Sequence, residues 1–157
     1  MSIFLSKYIN KLDKKGRVSI PATYRSILSN EEIGGIIVYS SFKNRCIEVC
    51  SMSRLQQISN IIAELDPYSP ERDAFETVVL GESVHLLFDN EGRVTLPTHL
   101  TELAQITENV CIVGKGEVFE IWNPENFAKY LTEAKEIAQK NKLLLRNIQA
   151  INNRGQI

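Results

Sequence analysis

Short blocks of alternating apolar and polar residues recur along this chain, each closed by a turn signal. Val18-Ser19-Ile20 and Val94-Thr95-Leu96 have the period of a half-buried strand, and each runs into a proline, Pro21 or Pro97, that ends a ladder and can open a helix. Further strands are predicted at Gly35 to Ser40, Arg45 to Cys50, Asn109 to Val113 and Val118 to Trp122. Two stretches change to helical spacing. Ser53 is predicted to cap a helix carrying Leu55, Ile58, Ile61, Ile62 and Leu65; Asn123 caps another with Pro124 first and Phe127, Tyr130, Leu131 and Ala134 as its stripe. Between them Asp66-Pro67-Tyr68-Ser69-Pro70 breaks the chain, and Ser69 with Pro70 starts a short helix to about Leu80.

The blocks are two copies of one unit. Leu12-Asp13-Lys14-Lys15-Gly16-Arg17-Val18-Ser19-Ile20-Pro21 returns 76 residues later as Phe88-Asp89-Asn90-Glu91-Gly92-Arg93-Val94-Thr95-Leu96-Pro97, with five of ten positions identical and three conservative. Chance would supply roughly one identity or fewer at ordinary residue frequencies, so this is a duplication. The predicted fold class is α+β, each copy reading β-turn-β, short helix, β-turn-β, helix. The divisions are a first repeat over 1–66, a connecting helix over 67–81, a second repeat over 82–140, and a helical or flexible tail over 141–157.

Inside the motif each residue type has a physical task. Gly16 and Gly92 supply the positive φ of a tight turn. Asp13 and Asp89 can accept backbone N–H groups across it and hold the guanidinium of Arg17 or Arg93 in a fixed pose. These four Asp and Gly residues are scaffold, needed whether or not the turn touches anything. The difference between copies lies in the two slots at the tip, Lys14-Lys15 in the first and Asn90-Glu91 in the second, which sum to +2 and −1. Lys14, Lys15 and Arg17 can together meet phosphates, and a pre-oriented Arg17 can read a guanine edge in the major groove. Arg93 is the fourth DNA-binding candidate, although Glu91 beside it would repel phosphate. The structural alternatives are solvated turn lysines and an ion pair, buried or between subunits, for Arg93.

Charge at first argues against nucleic acid, since the 157 residues sum to −1. Its distribution reverses that. Residues 1–45 carry +5, residues 46–125 carry −10 and residues 126–157 carry +4, a segregation that fits a basic footprint on one face. A hydrophobic content of 43% allows a real core, in one domain or two packed halves. The longest apolar runs, such as Ile33 to Tyr39, fall far short of the ~20 residues of a membrane span, and Met1 to Lys7 has no signal-peptide pattern. A soluble cytosolic protein with no membrane partner is expected. Cys46, Cys50 and Cys111 form no C-x-x-C pair and only His85 and His99 could complete a site, so neither metal nor disulfide is expected, and the cysteines read as small hydrophobes on strands. No cofactor and no small-molecule substrate are implied. An enzyme is the rival reading, because the Asp-Arg pairs could hold a substrate anion. No nucleophile-base pairing accompanies them, and the histidines, expected at strand and helix edges, lie outside the repeated motif.

With two Asp-x-x-Gly-Arg turns, the run Ser6 to Pro21, the Asp66-Pro67 break and Glu120-Ile121-Trp122 in place, the chain resembles the MraZ family of bacterial transcriptional regulators of the division and cell-wall gene cluster, within the AbrB-like swapped-hairpin group. The likeness covers residues 1 to about 140. It implies two tandem, intertwined swapped-hairpin β-barrel repeats flanked by helices, with a pseudo-two-fold inside the chain. It also implies a ring-like homo-oligomer on short direct repeats of double-stranded DNA upstream of its own operon, hence a nucleoid-associated protein. The D-x-x-x-R signature falls on Asp13 and Arg17 and again on Asp89 and Arg93. Two other readings stand beside it: an antitoxin-type DNA-binding protein of the AbrB-like group, and a ring scaffold that binds no DNA. The tail Asn141 to Ile151 lies outside the motif and is apolar enough to pack on a neighbour.

Overall fold

A computed structural model of the chain describes residues 2 to 155. They divide into two compact units, one running to Pro124 and one starting at Glu125.

The first unit is α+β. The first copy supplies β1 (Lys7–Lys11), β2 (Arg17–Ser19), α1 (Ala22–Leu28), β3 (Ile36–Ser40), β4 (Ile47–Cys50) and α2 (Met52–Ile62). After the connecting helix α3 (Pro70–Phe75) and a π-helical turn over Glu76–Gly81, the second supplies β5 (Val84–Leu86), β6 (Arg93–Thr95), α4 (Thr98–Leu103), β7 (Asn109–Gly114) and β8 (Phe119–Trp122). The strands form a six-stranded sheet in the order β1-β7-β8-β4-β3-β5 and a separate two-stranded ribbon, β2-β6.

Among these ladders only the hairpins β3–β4 and β7–β8 lie within one copy. The other four join the copies: β1 to β7, β5 to β3, β4 to β8 and β2 to β6, all antiparallel. The exchange is symmetric, since each copy's first strand pairs with the other's third. No barrel closes within either copy, because the strands that would close it are paired across the duplication. The sheet stays open, with β1 and β5 at its edges.

Strand alternation decides what is buried. On one face Ile36, Val38, Ile47, Val49, Val110, Ile112, Phe119 and Ile121 meet Val18, Ile20, Val94 and Leu96 from the ribbon, with Tyr24 and Leu28 of α1 and Leu100 of α4 completing the cluster. Each fully buried aliphatic there contributes about 1.5–3 kcal/mol. The Tyr24 hydroxyl donates to the Leu5 and Ser6 carbonyls at 2.7 and 3.0 Å, tying the N-terminal segment to this core. On the opposite face Ile37, Tyr39 and Cys50 are packed by Ile62 at the end of α2 and by Val79 of the π-helical turn. Glu120 is buried there too, accepting from Trp122 Nε1 at 2.9 Å with Lys115 Nζ 3.6 Å away.

Several boundaries differ from the sequence reading. The cap of α2 is Ser51, whose hydroxyl accepts the Arg54 N–H, while Ser53 lies inside the first turn and donates to Glu31 Oε2 at 2.5 Å. β4 starts at Ile47 because Cys46 N–H is turned onto the Asn44 carbonyl, leaving Arg45 in the hairpin loop. β3 and β8 start at Ile36 and Phe119, one residue later than predicted, and β7 runs one residue further, to Gly114. Ser69 with Pro70 opens the connecting helix as predicted, but its last turn is π-helical.

All three cysteines are free and buried; burial pushes each thiol up, that of Cys50 to about 12. His85 sits on edge strand β5, its Nε2 2.7 Å from the Gly34 carbonyl, and His99 lies in the first turn of α4. Among the described residues no group of three His, Cys, Asp or Glu side chains could hold a metal.

The second unit is helical: α5 (Pro124–Lys140, of which all but Pro124 belongs to it) and α6 (Leu143–Arg154). α6 exposes Leu143, Leu144, Leu145, Ile148 and Ile151. No helix among the described residues is long and apolar enough to cross a membrane.

Candidate nucleic-acid interface

The two repeated turns are built alike, atom for atom. In the first, Gly16 N–H donates to the Asp13 carbonyl at 3.0 Å, and Asp13 N–H to the Arg17 carbonyl at 3.0 Å. Asp13 Oδ1 accepts the backbone N–H of Lys15 and Arg17 at 3.0 and 2.8 Å, and Oδ2 accepts Arg17 Nε at 2.6 Å. In the second, Asp89 Oδ1 accepts from Glu91 and Arg93 N–H at 2.9 Å each, and Oδ2 accepts Arg93 Nε at 2.9 Å. Both glycines take positive φ, +81° at Gly16 and +76° at Gly92, where a side chain would be strained. Backbone N–H donors, those of Arg17 and Arg93 foremost, hold both carboxyls below the ordinary value of 3.8.

The two turns end on a shared surface, which the sequence did not reveal. Arg17 pairs with Thr95, Val18 with Val94 and Ser19 with Arg93. Because side chains alternate, Val18 and Val94 enter the core, while Arg17, Ser19, Arg93 and Thr95 all face away from it. Arg17 and Arg93 are therefore diagonal neighbours, with Cα atoms roughly 7–8 Å apart in such a register. Each turn glycine's carbonyl accepts from the other copy, Gly16 from Leu96 N–H at 2.8 Å and Gly92 from Ile20 N–H at 3.2 Å, so the ribbon and both turns form one braced piece. Asn10 Nδ2, donating to the Ser19 carbonyl at 2.8 Å, ties it to β1.

The tips differ as their residues require. Lys14 and Lys15 are exposed, and the Asp13 brace occupies Nε of Arg17, leaving both its Nη groups without a partner among the described residues. Arg93 is more constrained: its Nη2 lies 3.5 Å from Glu91 Oε2, in addition to its bond to Asp89. That hydrogen bond, with the charges of Asp89, Glu91 and Asp13, raises the Arg93 pKa. The ion pairs it makes in the chain, with Asp89 and Glu91, lie within its own turn.

Sequence reasoning missed three residues at this surface. Ser19 and Thr95 were legible as the outward positions of two strands, but only the β2–β6 register sets them between the arginines. Arg25 of α1 had no signal at all. Its Nε donates to the Ile20 carbonyl at 3.1 Å and its guanidinium lies under the second turn, 2.6 Å from where a Cβ on Gly92 would stand. A cation of the first copy thus sits beneath the acidic tip of the second.

Comparison with known proteins agrees with the family resemblance. Residues 79–147 match the family described as "MraZ protein, putative antitoxin-like". Proteins named "Transcriptional regulator MraZ" from Rickettsia africae (strain ESF-5) and Rickettsia conorii (strain ATCC VR-613 / Malish 7) are each 55% identical over 147 residues, covering 94% of this chain and 99% of theirs. The protein of that name from Rickettsia bellii (strain OSU 85-389) is 55% identical over 148 residues. The class these relatives define is the transcriptional regulators. Within it, the chain belongs to the MraZ family.

Proposed function

We propose that the chain is a sequence-specific DNA-binding regulator that reads double-stranded DNA with the outer face of the β2–β6 ribbon. The observation that carries this is the Asp13-braced Arg17, its Nη groups unengaged, on a two-stranded ribbon of a width the major groove admits. In this reading Lys14 and Lys15 contact phosphates and set the register, and Arg17 takes the guanine edge. Ser19 and Thr95 stand ready as hydroxyl partners. Arg93 contributes charge and orientation, restrained by Glu91. The two copies, 1–66 and 82–140 joined by 67–81, act as halves of one swapped-hairpin module.

One such face binds weakly and a chain of net charge −1 repels DNA elsewhere, so the reading includes a ring-like homo-oligomer that arrays several ribbons along short direct repeats. Linkage of that kind raises avidity on the order of 10²–10⁴. The target is the region upstream of the chain's own operon, and the protein works in the cytoplasm at the nucleoid. A footprint and gel shift on that region test the proposal. The parent chain should protect a set of repeats, and Arg17→Ala should lose site preference by about 1–3 kcal/mol while keeping its oligomeric mass. An unchanged site preference would refute the assignment of Arg17.

The family's antitoxin-like description supports a second reading, a DNA-binding partner of a toxin. It predicts a stoichiometric second protein on the DNA-bound complex.

A further inference from the structure

We infer that α6 of one copy docks in a groove on the first unit of a second copy. The groove, about 460 Å³, opens between α2, α3 and the π-helical turn, over the face of β3 and β4 opposite the main core. Its walls are mostly apolar, with Ile58 and Ile61 on one side and Phe75 and Val79 on the other; Tyr39 and Glu48 meet at its floor in a hydrogen bond, and the two cations that line it are each paired with an acid, Lys43 with Glu48 at 3.9 Å and Arg54 with Glu117 at 2.9 Å. The first unit itself leaves the mouth open: Phe42 is 61% exposed and Ile61 59%, and Phe42 stacks edge-on to Phe75 at 6.0 Å. An apolar opening of this kind, ringed by charge, is what a soluble monomer avoids and an interaction site requires.

The occupant is identified by shape and charge. α6 is a 12-residue helix, about 18 Å long at 1.5 Å per residue, with Leu144, Ile148 and Ile151 at i, i+4 and i+7 and Leu145 beside them. All four are exposed, Leu145 to 78%. From Ile137 to the end of the sequence the charged residues are Lys140, Lys142, Arg146 and Arg154, a sum of +4 with no acid. The segment that supplies Leu65 and Phe75 to the groove carries Glu64, Asp66, Glu71, Asp73 and Glu76 against Arg72, a sum of −4. Arg72, already counted in that sum, is turned onto its own segment, donating to the Ala63 and Leu65 carbonyls with Glu76 3.7 Å away. An apolar stripe flanked by bases meets an apolar groove flanked by acids.

Two different surfaces in contact make a head-to-tail interface, which builds a ring when the rotation closes. In that respect the inference rests on the ring reading above, while the contact itself stands on the groove and the helix. It assigns the tail segment 141–157 an assembly role.

The test is cross-linking in trans with full-length chains. A chain carrying Ile61→Cys and one carrying Ile148→Cys, distinguished by tags, are mixed under mild oxidation, with Glu102→Cys replacing the groove cysteine as control. The inter-chain disulfide should exceed the control by about tenfold or more, because docking raises the local thiol concentration toward the millimolar range. Leu144→Glu with Ile148→Glu, both at exposed positions, should lower the mass by light scattering while helical circular dichroism is kept. Cross-linking only within chains that carry both cysteines would overturn the inference in favour of packing on the same chain. So would a level no higher than the control, or an unchanged mass. Arg17→Ala should leave the cross-link intact, so loss of DNA binding and loss of docking are read separately.

Discussion

Arg93 stands directly opposite Ser19 across the ribbon, and so beside Arg17 on the same outward face. The second turn is then part of the first turn's surface, and its acidic tip limits what that surface can attract. Glu91→Lys should strengthen binding to any duplex and steepen the log–log salt dependence by about 0.9 for the added phosphate contact, with site preference unchanged. Lys14→Ala should shift the slope by a similar amount in the opposite direction. Anisotropy titrations at several salt concentrations measure both. A slope that ignores both substitutions would remove the tips from the interface.

The Asp braces should show in acid. Both folded-state values lie below 3.8, with the N–H donors of Arg17 and Arg93 as the first cause, so the contribution to stability is present above pH 3.8 and is lost as pH falls through the folded-state value. Asp13→Asn with Asp89→Asn keeps an acceptor for the backbone N–H groups but no charge for the arginines. Its urea midpoint should fall below the parent's at neutral pH, and the gap should narrow progressively below pH 3.8. A gap constant with pH would mean the carboxylate charges are not what steadies the turns.

Arg25 and Gly92 form a pair that a mutant cycle can isolate. Alanine at Gly16 meets the Leu96 carbonyl at 3.4 Å and Thr95 Cγ2 at 3.8 Å, and carries mainly the strain of its positive φ, about 1–2 kcal/mol. Alanine at Gly92 carries the same strain and also displaces the Arg25 guanidinium. Gly92→Ala should therefore cost more than Gly16→Ala, and adding Arg25→Ala to Gly92→Ala should recover part of the excess. Strictly additive effects would show that the two do not touch in solution.

At the other end of the pH scale, burial raises the Tyr24 phenol from 10 to about 12. The folded value is above the unfolded one, so its contribution is whole below pH 10 and is lost as pH climbs toward 12. Tyr24→Phe should cost about 1–3 kcal/mol at neutral pH, because the Leu5 carbonyl loses its donor, while that of Ser6 keeps the Gly114 N–H at 2.8 Å. It should also flatten the alkaline unfolding profile between those two values. A profile identical to the parent's would assign the alkaline loss to other groups.

Much of the local structure was legible because its causes are local. Gly16 and Gly92 mark positive φ, the Asp four residues before each Arg marks the brace, and Val18 and Val94 mark the inward side of their strands. Which strand pairs with which is a different matter. β2 and β6 have three residues each, too few for periodicity to choose a partner, so the register that joins Arg17, Ser19, Arg93 and Thr95 was out of reach. Arg25 is hidden for the same reason, since it reaches the second turn only through that pairing. Ser51 and Ser53 are chemically equal as caps, and only the backbone that leaves β4 decides between them. Glu120 is the clearest override of pattern: a carboxylate in the middle of a strand, buried with Trp122 Nε1 donating to one oxygen and the Lys115 ammonium 3.6 Å from the other.

The exchange of strands also constrains how the protein is made. When the first copy leaves the ribosome, β1 and β2 have no partner, because β7 and β6 have not yet been synthesised. The β3–β4 hairpin can form at once, but with bare edges until β5 and β8 arrive. The first half of the sheet therefore keeps these edges open to a wrong neighbour until the strands of the second copy are made.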